Sequence, residues 1–284
     1  MSNLERDVHT DRVKRLEEHA KEVRIRILDM IYKAQSGHPG SALSAADILT
    51  ALYFDIMNID PSNPHWKERD RFVLSKGHGC PVLYACLALR NYFPLHELDT
   101  LRKFESILQG HPVKQKTPGV DMTTGSLGHG LSIGLGMALD GKLAGKDYFT
   151  YVLIGDGELD EGQNWEAAAT ASKYQLNHLV AIIDINRLQM DGFTDEVMPK
   201  YSIADKFRAF NWEVLEMDGH DMTDIVLTLE KVRLAKRNKP VCIAADTVKG
   251  KGVSYMENVR VWHGKVPNEQ EFRSAMLELK GENR

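Results

Sequence analysis

The sequence predicts an α/β protein, a doubly wound and mostly parallel sheet that carries its functional residues at the carboxyl ends of its strands. Three observations lead there. Short apolar, β-prone runs alternate with longer segments of helical spacing, the strand, helix, strand, helix order that builds parallel sheets. Several of those runs stop at glycine-rich segments bearing Asp, His or Lys, where open α/β sheets place their ligands. The chain's 284 residues, at 43% hydrophobic content, suffice for a full core, and no Pro-, Ser- or Gly-rich linker divides them, so a single domain over residues 1–284 is expected.

Charge and cysteine content exclude several classes of function. A formal net charge of -4, with Lys and Arg scattered among acids, gives no basic field for nucleic acid. No apolar stretch approaches a membrane span, and the charged N-terminus lacks a signal-peptide core, so no membrane partner and a cytoplasmic location are expected. Cys80, Cys86 and Cys242 lie in apolar surroundings without metal-ligand spacing and read as buried free thiols.

Taken in order, residues 11–35 read as one helix, with Leu16, Ala20, Val23, Ile27 and Ile31 at helical spacing, Thr10 as N-cap and Gly37 just past the end. Ser36-Gly37-His38-Pro39-Gly40-Ser41 then carries too much turn chemistry to continue a helix and presents an imidazole and a hydroxyl from a loop. An apolar helix over 45–57 and a Pro- and Asn-rich loop over 58–64 lead to a strand at 71–74, which ends in Ser75-Lys76-Gly77-His78-Gly79. A buried helix over 80–90 and a polar segment to 109 precede Gly110-His111-Pro112.

Thr124-Gly125-Ser126-Leu127-Gly128-His129-Gly130 introduces a Gly- and Ala-rich helix over 131–143. Gly134, Gly136 and Leu139 mimic a dinucleotide fingerprint, but the strand that must precede the first glycine is missing, and close helix packing explains these glycines better. The run 151–154 reads as a buried strand stopping at Gly155-Asp156-Gly157, followed by Glu161 and a helix of small residues over 164–174. A strand over 179–185 delivers Asn186 to the same sheet edge. A helix over 203–210 and a strand over 212–217 end at Asp218-Gly219-His220-Asp221, where His220 reads as a loop or cap residue. A helix over 222–236 and a strand over 240–246 lead to Thr247-Val248-Lys249-Gly250-Lys251-Gly252, and Trp262-His263-Gly264 follows.

Asp156 and Asn186 bring hard oxygens from neighbouring strand ends, with a carbonyl such as that of Leu188 close behind. Such a set half fills an octahedral shell, which is what Mg²⁺ needs when water and phosphate oxygens complete it. Taken singly, Asp-Gly reads as a turn and Asn186 as the start of a loop. Together, Gly155-Asp156-Gly157 and Asn186, separated by 28 residues after Gly157, resemble the thiamine-diphosphate signature. The intervening Glu158-Leu159-Asp160-Glu161-Gly162-Gln163-Asn164-Trp165-Glu166-Ala167 resembles transketolases in particular, as do Ser-Gly-His-Pro-Gly, Gly110-His111-Pro112, the Lys249 loop and Trp262-His263-Gly264. The resemblance runs from about residue 15 to 275; a departure is His129, where most transketolases carry glutamine.

The resemblance implies a thiamine-diphosphate-binding fold, with thiamine diphosphate and Mg²⁺ as cofactors. It implies Asp156, Asn186 and Leu188 at the metal, and Ser41, His78, Gly125, Ser126, Leu127, Asp156, Gly157, Asn186, Lys249 and His263 around the cofactor. His38, His78, His111, His263 and Glu161 are implied in catalysis, the histidines as proton carriers at sugar hydroxyls. In the family the glutamate that activates the aminopyrimidine ring belongs to a second, pyrimidine-binding domain, which is expected to lie on a separate chain. The expectation is therefore the N-terminal subunit of a split transketolase, transferring a two-carbon ketol unit from a ketose to an aldose. A separate C-terminal pyrimidine-binding subunit is its expected partner, most simply in a heterotetramer of two plus two with Glu161 and Glu166 at the dimer interface. Deoxyxylulose-phosphate synthase shares the metal signature but not the Gly-His-Pro and Trp-His-Gly elements, and a non-catalytic cofactor-binding subunit would have no need of histidines in every loop.

Overall fold

The computed structural model describes residues 3–282. Five parallel strands, β1 (Arg71–Leu74), β2 (Thr150–Gly155), β3 (Leu179–Ile185), β4 (Glu213–Asp218) and β5 (Val241–Asp246), lie in the order β1-β2-β3-β5-β4. The helices are α1 (Asn3–Ala34), α2 (Pro39–Ser44), α3 (Ala46–Ala51), α4 (Cys80–Leu89), α5 (His129–Leu143), α6 (Gln163–Lys173), α7 (Thr194–Val197), α8 (Ile203–Ala209), α9 (Met222–Leu234) and α10 (Glu269–Lys280).

Alternation along the strands shows that the sheet is wound on both faces. Tyr151, Leu153, Val180, Ile182, Val241 and Ile243 join a core with α1, α3, α4 and α9. Their sequence neighbours Val152, Ile154, Ala181, Ile183 and Cys242 join a second core with α5, α6 and α8. Because side chains alternate across a sheet, strands that are apolar at every position must be covered on both sides. Each fully buried Leu or Ile contributes about 1.5–3 kcal/mol, so these two layers fix the strand ends that build the site. The outer strands differ in how their open edges are treated: β1 is four residues long, and β4 carries Glu213, Glu216 and Asp218.

Leu16, Ala20, Val23, Ile27 and Ile31 are all buried, as their spacing predicts. Two local expectations are corrected. Helix α1 begins by Asn3, so Thr10 lies within it rather than capping it. Pro39-Gly40-Ser41 opens α2 rather than continuing a loop, because proline at the first helical position surrenders an N–H that would be unpaired anyway. Gly134 does serve packing: a Cβ there would stand 2.3 Å from Val152 Cγ2. Gly136 has nothing within 4 Å, so packing within this chain does not account for it. The three cysteines are buried and free.

Candidate active site

Every strand delivers its following residues to one carboxyl edge. A cavity of about 420 Å³ opens there, bounded by segments after β1, β2, β3 and β5, by the α1–α2 junction, by the 111–127 segment and by the turn Arg260–His263. His38, Ser41, His78, His111, Gly125, Leu127, Asp156, Gly157, Asn186, Leu188, Lys249 and His263 all line it. Ser126 and Glu161 do not; both are solvent-exposed. A wider depression of about 950 Å³ lies over the ends of β4 and β5 and shares none of these residues. The smaller cavity holds the convergent polar groups with displaced pKa values, which makes it the candidate site on chemical grounds.

Its floor is a buried charge network. Asp184, fully buried in the apolar run of β3, receives the Ser44 hydroxyl at 2.6 Å and is bonded by Lys76 Nζ and the Thr247 hydroxyl. Lys76 also donates to the Ser41 carbonyl at 2.8 Å. Burial would raise the Asp184 carboxyl, yet the Lys76 charge and the bonds from Lys76, Ser44 and Thr247 hold it below the ordinary value. Glu158 ties three loops together: it accepts from the Ser75 hydroxyl, from the Gly128 N–H at 2.8 Å and from the Gly155 N–H at 3.1 Å.

Above this floor Asp156 accepts the Gly157 N–H at 2.8 Å and the Arg187 N–H at 2.6 Å. Burial, reinforced by the Asp184 charge, pushes its carboxyl up to about 6, the condition of an anion that lacks a countercharge. Arg187 adopts φ 60, a left-handed turn directly after β3 that leaves both Asn186 and Leu188 on the cavity wall. Asn186 Oδ1 receives the Leu188 N–H at 3.2 Å, and the Leu188 carbonyl receives Lys249 Nζ at 2.6 Å. Burial, with the Lys76 charge beside it, lowers the Lys249 ammonium to about 8.

Three imidazoles form the opposite wall. The ring centres of His38, His78 and His263 stand 5.1 Å, 5.3 Å and 5.6 Å apart. Burial lowers them to about 4, about 2 and about 3 respectively, so all three are neutral at physiological pH. His78 Nε2 meets the Ser41 hydroxyl at 2.9 Å, while Nδ1 of His38 and Nδ1 of His263 are buried without a partner among the described residues. The contact of α2 with the 260–263 turn brings His38 and His263 together; at Gly40 a Cβ would stand 2.9 Å from the Trp262 carbonyl. His111 is placed by α4, whose Tyr84 hydroxyl reaches the carbonyls of Gln109 and His111 at 2.9 Å and 3.0 Å.

Sequence reasoning does not single out Lys76, Asp184, Glu158 or Gln189. Asp184 does offer a signal, a charge inside a strand otherwise apolar throughout, which demands a buried partner. His220, expected in a loop, is indeed in a turn, but its side chain joins a buried network with Asp47 and the Val248 N–H.

A parallel, doubly wound sheet whose strand ends hold an oxygen pair beside neutral imidazoles defines the class as an α/β domain with a polar, cofactor-sized site at its carboxyl edge. Comparison with known proteins makes the class specific. Residues 16–281 match the family model described as transketolase, thiamine diphosphate binding domain, and the chain belongs to the transketolase family. It corresponds to that family's N-terminal, diphosphate-binding part. It is 47% identical over 267 residues to one of the named subunits of the apulose-4-phosphate transketolase of Phocaeicola vulgatus, covering 94% of each chain. It is 46% identical to the 6-deoxy-6-sulfo-D-fructose transketolase subunit SqwG of a Clostridium species, covering 94% of this chain and 97% of that one. The transketolase structure from Campylobacter jejuni superposes with a TM-score of 0.88 at 34% identity over 93% of this chain and 42% of its own. Among the described residues no helix is long and apolar enough to cross a membrane.

Proposed function

We propose that this chain is the diphosphate-binding subunit of a split transketolase, a single domain that works with a separate pyrimidine-binding subunit in an assembly of two plus two. The reaction is transfer of a two-carbon ketol unit from a ketose donor to an aldose acceptor. Both relatives above are named for ketoses with an anionic terminus, and a donor of that class, within pentose-phosphate-type carbohydrate metabolism, is the substrate. The observation that carries the reading is that one cavity joins the Asp156 and Asn186 oxygens to three neutral imidazoles.

The residues fit thiamine diphosphate with Mg²⁺. Asp156, Asn186 and the Leu188 carbonyl are hard oxygen donors, and the Asp156 carboxyl, raised to about 6 by burial and by Asp184, gains from a cation. Lys249, Gly157, Gly125 and Leu127 would hold the cofactor, with Ser41 and His78 closer to the reacting ring. When bound, thiamine diphosphate supplies the carbanion that cleaves and forms carbon–carbon bonds.

The chain's own residues bind and move protons around that chemistry. The unpartnered Nδ1 atoms of His38 and His263 face a buried environment, where hydrogen bonds to sugar hydroxyls are strongest. Neutral imidazoles can take a hydroxyl proton and return it, the part assigned to His38, His78, His111 and His263. Large apolar side chains lie exposed beside the mouth, Met190 at 66% and Val261 at 55%, and a partner surface covering them would exclude water. Arg260 Nη1 bonds the Asp191 carbonyl at 2.9 Å, joining these two segments. Glu161, exposed and away from the cavity, acts at an interface between copies rather than on substrate.

Calorimetry on the chain with its partner subunit tests this directly. Asp156→Ala and Asn186→Ala are expected to abolish Mg²⁺-dependent binding of thiamine diphosphate with an unchanged circular dichroism spectrum. Undiminished binding in either variant, or full ketose cleavage by the isolated chain, would overturn the reading.

A further inference from the structure

His220 lies outside the cavity, in the turn between β4 and α9, yet its ring is fixed at both nitrogens. Nδ1 stands 2.8 Å from an Asp47 carboxylate oxygen, and Nε2 accepts the Val248 N–H at 2.8 Å. A backbone N–H pointing at Nε2 requires that nitrogen to be bare, so the hydrogen sits on Nδ1 and is donated to Asp47. Asp47 is held in turn by Arg24, Nη1 to Oδ1 at 2.8 Å, and Arg24 Nε bonds the Lys251 carbonyl at 3.1 Å. The three side chains are only 9%, 10% and 10% exposed.

The network ends on the loop that carries Lys249. Thr247 is anchored to Asp184 and the Gly250 N–H to the Gly40 carbonyl at 3.1 Å. Between those anchors His220 holds the Thr247–Val248 peptide, one residue ahead of Lys249, whose side chain leaves the loop to reach the Leu188 carbonyl at 2.6 Å. At Gly250, φ +83 and a virtual Cβ only 2.5 Å from the Met256 carbonyl show how sharply the loop turns immediately afterwards. A short, strongly turned segment converts a small peptide rotation into a large displacement of a long side chain.

We infer that His220 is a positioning residue for Lys249: Arg24 and Asp47 fix the tautomer of the ring, the ring fixes the Val248 peptide, and that peptide sets where the Lys249 ammonium stands on the cavity wall. The inference rests on the proposed function only in taking that wall as the diphosphate site.

The two ring contacts are separable. His220→Asn keeps an N–H at the δ position for Asp47 and removes the acceptor at ε, whereas His220→Gln keeps an ε acceptor for Val248 and gives up the Asp47 contact. In the isolated chain without cofactor, reductive methylation of Lys249 with formaldehyde and cyanoborohydride is followed by peptide mass spectrometry, with exposed Lys103 as internal standard. The expected result is methylation of Lys249 about tenfold faster in His220→Asn, the equivalent of one net hydrogen bond, and within about threefold of wild type in His220→Gln. Calorimetry in the assembled enzyme should show weaker thiamine diphosphate binding for the asparagine variant alone, with turnover at saturating cofactor retained. Unchanged methylation in His220→Asn, or equal acceleration in both variants, overturns the inference. Should His220→Asn not fold, hydrogen exchange of the wild-type Val248 amide decides: protection supports the inference, and exchange at the rate of a free loop overturns it. Failure of cofactor binding with Lys249 correctly protected would count against the proposed function and not against this network.

Discussion

Replacing Lys76 with methionine removes the countercharge of Asp184 while nearly conserving volume. The pair is 2% and 0% exposed, so water cannot replace the lost ammonium. What remains to Asp184 are the Ser44 and Thr247 hydroxyls, and the Ser41 carbonyl loses a donor. Stranding one member of a buried pair costs about 3–5 kcal/mol, a large part of the roughly 5–15 kcal/mol that holds a domain together. Lys76→Met and Asp184→Asn should each destabilise by that amount. The double variant should lose far less than the sum, because a buried pair contributes little net stability against neutral groups of similar shape. Urea denaturation followed by circular dichroism supplies the cycle. In Lys76→Met the folded Asp184 carboxyl should rise above its unfolded value, so the deficit relative to wild type should shrink as pH falls through that raised value. Additive losses in the double variant, or a deficit independent of pH, would refute the account of the floor as a single electrostatic unit.

Acid should weaken the chain through the imidazole wall. His38, His78 and His263 stay neutral when folded and protonate near pH 6.5 when unfolded, so unfolding takes up protons below that pH and stability falls, by at most about 1.4 kcal/mol per pH unit for each ring; denaturation midpoints between pH 7 and 5 check this. Gly134→Ala gains about 1 kcal/mol of helix propensity but places a methyl 2.3 Å from Val152 Cγ2, and overpacking at about 1–3 kcal/mol should win, lowering the melting temperature. Asn268→Ala removes the capping box that Asn268 shares with Glu271 at the start of α10 and should cost about 1 kcal/mol, measured by thermal unfolding, with no effect on cofactor binding.

Strand positions are legible because β-prone apolar runs end at glycines: β1 and β3 fall where residues 71–74 and 179–185 predict them. The gathering of Asp156, Asn186, Lys249 and four of the histidines on one cavity is legible for the same reason, since they stand in short motifs at or near glycines. What escapes are residues defined by partners far away in the chain. Lys76 matters through Asp184, 108 positions later, and His220 through Asp47, 173 positions earlier. No local pattern encodes such a pair; only the fold brings its members together. The start of α2 is hidden for another reason, since proline reads as a breaker unless its place in the first turn is known.

The outer strands bear on how this chain survives before assembly. An unpaired strand is a template on which another chain can add, and a subunit waiting for its partner presents such edges for longer than a finished enzyme does. Here β1 offers only four residues, and β4 sets Glu213, Glu216 and Asp218 along the other border. Glu213 and Glu216 are ion-paired there to Arg237 and Arg208, so a strand added at that border would have to break or desolvate those pairs, and association by sheet extension is disfavoured, while the carboxyl edge that carries the cavity mouth is left open. Replacing Glu213 and Glu216 with glutamine should leave catalysis intact in the assembled enzyme and shorten the time for which the lone subunit stays in solution.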